Sequence, residues 1–230
     1  MLRNLTKKGE IVIMEKNFFC SWSGGKDSAL SLYKAVDLGW KPQALLNILN
    51  EDGKNSRSHN LPLSILKAQA DSLNIPLVTK NATWDDYEKI FIEALKEFKK
   101  QGIDSGVFGD IDIKDHRKWE EMVCEKAGLK AHLPLWNQSR EELLFEFLDL
   151  GFITMIVVVN QSYLGKKYLG EIIDKELIAE FKKIGIDPSG ENGEYHTVVL
   201  DGPIFDHLVE IEKKDKVENK GYYFQNINLK

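Results

Sequence analysis

The chain has 230 residues, 43% hydrophobic and 29% charged, with a formal net charge of −5 and a pI near 5.6. That excludes a disordered segment, leaves core enough for one large domain or a main domain with a smaller partner, and makes nucleic acid an unexpected partner, since phosphate binding leaves a basic balance. Cys20 and Cys124, without a C-x-x-C pair, exclude a disulfide framework or zinc site and suit a reducing cytoplasm, and the longest apolar run, 152–159, is far below the roughly 20 residues that cross a bilayer.

In chain order, the first 13 residues are expected to be a non-native or disordered extension. Lys7-Lys8-Gly9-Glu10 can be encoded by a purine run resembling a bacterial ribosome-binding site, three codons before Met14, which makes Met14 the expected start. Short apolar runs then predict strands over 18–22, 44–50, 76–80, 106–111 and 152–160. An alanine- and leucine-rich helical segment follows the first strand. The stripe Tyr87, Ile90, Phe91, Ala94, Leu95, Phe98 predicts an amphipathic helix; Trp119, Met122, Val123, Ala127 predicts another, and further stripes run through Leu143–Leu148 and Leu177–Ile184. This alternation predicts an α/β fold, a parallel sheet with helices on both faces. After Leu133-Pro134-Leu135-Trp136 the texture changes to one helix, one strand, a glycine-bearing loop, another helix and a β-rich tail with turns at Asp201-Gly202-Pro203 and Lys220-Gly221. The expected division is therefore 14–134 and 135–230, the second a smaller α+β domain.

The polar stretch Ser23-Gly24-Gly25-Lys26-Asp27-Ser28 sits where the first strand hands over to a helix. Ligands of open parallel sheets collect at such carboxyl ends. Glycines let backbone approach a phosphate, helix N-terminal amides supply donors, Ser23 and Ser28 add hydroxyls and Lys26 a point charge. Asp27 would repel phosphate unless a divalent cation intervenes, so the loop suits a Mg²⁺-nucleotide with Asp27 as metal ligand. Neither G-x-x-x-x-G-K-[ST] nor G-x-G-x-x-G is present. Farther on, Gly190-Glu191-Asn192-Gly193-Glu194-Tyr195-His196-Thr197 places two carboxylates three residues apart among glycines. Such a pair can hold ammonium and accept its proton, complete a metal site, or be a solvated turn entering a strand. His59 and His116 suit surface positions or substrate contacts equally, whereas Cys20 suits burial.

The hexapeptide resembles the pyrophosphate loop of the PP-loop (N-type) ATP pyrophosphatases, whose fold is Rossmann-like, of the adenine nucleotide alpha hydrolase type. Residues 190–197 resemble the E-x-G-E-[FY]-x-T signature of the diphthine–ammonia ligase family within that superfamily. Arg57-Ser58-His59, Gly109-Asp110-Ile111 and Pro134-Leu135-Trp136 are similar to family segments in matching order, so the likeness spans Asn17 to about Phe205. It implies an ATP- and Mg²⁺-dependent ligase that adenylates a carboxylate, on a small molecule or a protein, with release of pyrophosphate and then joins it to ammonia with release of AMP. Ser23, Gly24, Gly25, Lys26, Asp27, Ser28, Gly109 and Asp110 would bind the nucleotide. Lys26, Asp27, Glu191 and Glu194 would be catalytic, and His59, Arg117, Tyr195, His196 and Thr197 would contact substrate. Gly109-Asp110-Ile111-Asp112 and Asp115-His116-Arg117 look like the family's bacterial branch, while members acting on diphthine modify an archaeal or eukaryotic elongation factor; the reaction type is thus implied more narrowly than the acyl acceptor. The rivals are tRNA thiolation through the same adenylation, and a non-catalytic ATP sensor. Whether ammonia comes free or from a partner glutaminase, and whether the chain forms a homodimer, is left open by the residues.

Overall fold

The computed structural model of the protein describes residues 16–230. The expected extension and the Met14 start lie outside the described residues.

The first half is a parallel sheet. Its strands are β1 (Asn17–Ser21), β2 (Lys41–Leu49), β3 (Leu77–Asn81), β4 (Ser105–Val107) and β5 (Lys130–His132), in the order β3-β2-β1-β4-β5. Alternation along β1 explains why both faces are covered. Phe18, Cys20 and Trp22 enter one apolar cluster with α1 (Lys26–Asp37) and α2 (Leu63–Leu73), while Phe19 enters another with α3 (Tyr87–Lys100) and α4 (Lys114–Ala127). Phe19 alone meets Phe98 at 5.2 Å, Phe108 at 5.8 Å and Phe91 at 6.4 Å between ring centroids. Burying a side chain of that size contributes about 1.5–3 kcal/mol.

The expected α/β fold is present, with differences in detail. The fifth parallel strand is Lys130–His132, too short to stand out as a periodic run, and helix α2 was not predicted, because Gln69 and Ser72 interrupt its apolar face. The fourth predicted strand ends at Val107, so Phe108 to Ile111 form a loop at the carboxyl edge. The run at 152–160 becomes β6 (Ile153–Asn160), the centre of a second, antiparallel sheet.

That sheet has the order β7-β6-β9-β8, with β7 (Tyr195–Asp201), β8 (Ile211–Asn219) and β9 (Tyr222–Leu229). Lys220 and Gly221 both take positive φ, 47° and 83°, as a tight hairpin between β8 and β9 requires. One face, through Met155, Val157, Val198 and Leu200, joins the cluster of α1 and α2; the other packs Ile156 and Val159 on α6 (Lys175–Ile184). Helix α5 (Arg140–Asp149) bridges the two, with Leu143 and Phe147 in the first cluster and Leu144 in the other. Ser139 and Asp174 cap α5 and α6 by accepting hydrogen bonds from Glu142 N and Leu177 N. The second sheet therefore leans on α1, and its strand β7 reaches the loop at the start of that helix. No helix among the described residues is long and apolar enough to cross a membrane.

Candidate functional site

The reversal of strand order between β1 and β4 opens a crevice at the carboxyl edge, and the Ser23–Ser28 loop lies in it. The loop is held from three sides. Gly25 N donates to Ser23 Oγ at 3.2 Å, and Ser28 Oγ lies 3.1 Å from Ser23 Oγ and donates to Gly25 O at 2.9 Å. From α2, fully buried Gln69 donates through Nε2 to Gly24 O (2.9 Å) and Val199 O (2.7 Å) and accepts from Trp22 Nε1. From β7, Val199 N donates to Gly24 O, and Thr197 Oγ1 accepts from Lys26 N at 3.1 Å. Close approach explains the glycines: a Cβ on Gly25 would lie 2.3 Å from His59 Cε1, and one on Gly109 2.8 Å from the Asp27 carbonyl carbon.

At the N-terminus of α1, Lys26 Nζ bonds to Asp27 Oδ1 and Oδ2 at 2.7 and 2.8 Å and to Glu191 Oε1 at 2.9 Å. Burial works against the Lys26 ammonium, but the two carboxylates more than offset it, and its pKa lies above the ordinary value. Glu191 is pushed up to about 7, by burial first, with Lys26 opposing and Asp27 adding to the rise. The motifs at 23–28 and 190–197 thus meet through one ammonium group.

Above them is a cavity of about 520 Å³. Ser23, Lys26, Asp27, Ser28, Gly109 and Asp110 line it, as do His59, Glu191, Tyr195, His196 and Thr197. Gly24 and Gly25 are not among its lining residues. Nor are two other expected site residues, Glu194 and Arg117. Glu194 is buried and turned into its own loop, where it accepts from Asp187 N, Asn192 N and Asn192 Nδ2, because Gly190 and Gly193, at φ 80° and 82°, wind that loop around the carboxylate. The two glutamates therefore do not act as a facing pair. Arg117 points along α4, bonded to Glu121 at 2.7 Å and lying over the Trp136 ring, while His116 takes the cavity side.

His59 Nδ1 is 2.7 Å from Thr197 O. A carbonyl only accepts, so Nδ1 carries the hydrogen and Nε2 is left as an acceptor. Its ring lies 4.8 Å from that of His196, tilted by 40°, and burial first of all holds the two imidazoles down, to about 4 and about 3. Both are neutral at physiological pH.

Several residues of the site were not singled out from sequence. Asn47, a lining residue of the cavity, donates to Trp22 O at 2.7 Å and keeps a buried Oδ1 without a donor. Arg57 bonds to Ala82 O and stacks on exposed Trp84. Glu120, 4% exposed, lines the wall from α4; it is in phase with buried Val123, Cys124 and Ala127, and a carboxylate on an apolar stripe was a readable signal. Arg140 clasps Asp112 at 2.6 and 2.8 Å and Asp187 at 2.6 Å, tying the loop after β4 to the second motif. Nothing local in the sequence marks that role.

Residues 17–131 match the family described as diphthamide synthase N-terminal domain, and residues 139–228 the diphthamide synthase C-terminal domain. The diphthine–ammonia ligase of Schizosaccharomyces pombe is 31% identical over 220 residues, covering 86% of this chain but 36% of that protein, so the chain spans about a third of that relative's length. The diphthine–ammonia ligase of Homo sapiens is 27% identical, covering 85% of this chain and 82% of that protein. A Methanocaldococcus jannaschii crystal structure described as a predicted subunit of tRNA methyltransferase aligns with a TM-score of 0.45 at 16% identity, over 81% of this chain and 98% of that one.

Proposed function

The chain belongs to the diphthamide synthase family, and from that premise we propose that it is an ATP-dependent ligase that adenylates a carboxylate and amidates it with ammonia. A carboxylate oxygen attacks the α-phosphorus, pyrophosphate leaves, and ammonia then displaces AMP, a far better leaving group than oxide. The observation that carries this reading is Lys26 Nζ, held between Asp27 and Glu191 at the N-terminus of α1 within a cavity built from both sheets.

The amides at the start of α1, with the Ser23 and Ser28 hydroxyls, would cradle the departing pyrophosphate, and Lys26 would shift from Asp27 to its oxygens. Asp27, a third exposed at the cavity mouth, fits Mg²⁺, which takes one or two carboxylates and completes its shell with phosphate and water. When bound, that ion would neutralise charge developing on the phosphates. The unpartnered Asn47 Oδ1 near the end of β2 would accept from the adenine amino group. Neutral His59 and His196, with Tyr195 and Thr197, would face the acyl substrate, which we take to be diphthine or a related carboxylate. Glu191 would hold Lys26 in place. Residues 14–134 form the nucleotide-binding unit in this reading and 135–230 the substrate unit, in the cytoplasm, where Cys20 and Cys124 stay reduced. Both thiols are buried and pushed up to about 12 by that burial, so neither is suited to the sulfur transfer that tRNA thiolation would need.

Incubation with ATP, Mg²⁺, ammonium and a diphthine-bearing protein should yield AMP and pyrophosphate in step with amide. ADP and phosphate would mean that the wrong bond breaks and would refute the reading. Asp27→Asn should lower turnover by about 10²-fold or more, the scale on which a charge-positioning group acts, while the melting temperature moves little.

A further inference from the structure

We propose that Asp110 and Glu120 form the ammonium-binding site of this ligase, in the part of the cleft walled by α3 and α4, with Asp110 as the group that takes the ammonium proton. The inference rests on the amide-forming reading above and names the residues that serve its nucleophile.

The sequence-based expectation gave this task to Glu191 and Glu194. Glu194 is saturated within its own loop, and Glu191 is occupied by Lys26. The acidic groups on the opposite wall are less committed. Glu120 is 4% exposed, lines the cavity, and its Oε2 has no hydrogen-bond partner. It makes no ion pair among the described residues, although leaving a carboxyl buried without one is costly. Burial first, and then a hydrogen bond to the Asp110 side chain, push it up to about 11, so it meets Asp110 as a neutral acid. Between them the two carboxyl groups are rich in acceptor lone pairs, which is what a donor such as ammonium requires.

The surroundings favour a small cation. Tyr87 and Phe91 line the same part of the cleft, and aromatic faces attract cations. Arg57, on that wall, is engaged by Ala82 O and the Trp84 face. Gly109 abuts the backbone of Asp27 and Ser28, so its neighbour Asp110 stands beside the phosphate loop, where an acyl-adenylate would form.

The chemistry balances without another reagent. Ammonium gives one proton to the Asp110 carboxylate and becomes ammonia. Its lone pair forms the C–N bond at the acyl carbon, the bond from that carbon to the AMP oxygen breaks, and AMP leaves with the electron pair. The proton then shed by the new amide nitrogen leaves with water. Asp110 returns its proton through His116, whose Nδ1 is 2.7 Å from Asp110 Oδ1 and whose side chain is 58% exposed.

The test separates nucleophile from adenylation. In Asp110→Asn, the ammonium concentration for half-maximal amide synthesis should rise by about 10-fold or more, the worth of one charge-assisted hydrogen bond, and in Glu120→Gln severalfold. In Glu120→Gln, pyrophosphate–ATP exchange with the diphthine-bearing protein should stay within about 3-fold, and so should hydroxamate formation from hydroxylamine, which is neutral at neutral pH and needs no carboxylate to hold it. Exchange falling in step with amide synthesis, or an unchanged ammonium dependence, would overturn the proposal. Wild-type protein that supports no exchange would instead overturn the ligase reading. A separate measurement then decides the site: ammonium chloride should raise the wild-type melting temperature above that in tetramethylammonium chloride, and Asp110→Asn should abolish the difference; equal effects of both salts would sink the site itself.

Discussion

A carboxyl group that keeps its proton when folded makes stability depend on pH, and Glu120 should do so in a defined direction. Between its ordinary 4.5 and about 11 the unfolded chain has released this proton and the folded chain retains it, so folding takes up a proton and stability falls as pH rises across that window. Gln has nearly the shape of the neutral acid and nothing to release. Glu120→Gln should therefore melt close to wild type near the acid end of the window and progressively above it toward alkaline pH, as a series of melting temperatures would record. A difference that stays constant with pH would mean that Glu120 is ionised in the fold. His59 and His196 act in the opposite sense: held below their ordinary 6.5, they withdraw stability as pH falls from that value toward about 4 and about 3.

The start of α1 depends on the loop that follows β4. A Cβ on Gly109 would meet the Asp27 carbonyl carbon at 2.8 Å and Asp27 O and Ser28 N at 3.0 Å, all backbone atoms with no rotamer to escape into. Gly109→Ala should then cost about 1–3 kcal/mol, the range for overpacking, and displace the Ser23–Ser28 turn. Calorimetry should register a lower melting temperature and pyrophosphate–ATP exchange a raised KM for ATP. If both are unchanged, the contact between β4 and α1 yields more readily than the distances suggest. At this scale much of the fold was legible: the alternating strands, the amphipathic helices and the turn at Lys220-Gly221 follow from local pattern. Strand β5 was not legible, because three residues carry too little periodicity.

Across the whole molecule, two contacts make one site of two sheets: Thr197 with Lys26 N and His59, and Arg140 between Asp112 and Asp187. Arg140→Ala would free the 187–194 loop, removing charge-assisted bonds worth about 1.5–3 kcal/mol each when well made and less at this partial exposure. Amide hydrogen exchange in that loop should quicken, and nucleotide turnover should fall, since Glu191 would no longer be aimed at Lys26. Exchange rates unchanged in the loop would show that Glu194 alone suffices to order it.

By itself the sequence singled out the segments that line the cavity, because a glycine- and hydroxyl-bearing corner between strand and helix stands out from local pattern, and because hydrophobic period follows backbone geometry residue by residue. It also carried Glu120 in plain view, in phase with an apolar stripe. What only the tertiary structure decided is direction. Glu191 and Glu194 are three residues apart in a loop whose glycines take positive φ, and spacing in such a loop says nothing of where side chains point; packing against α1 sends one to Lys26 and the other into its own turn. Likewise Asp110 and Glu120, ten residues apart, come together only when the loop after β4 folds onto α4, and Glu120 keeps its proton only once burial has removed the water that would have ionised it.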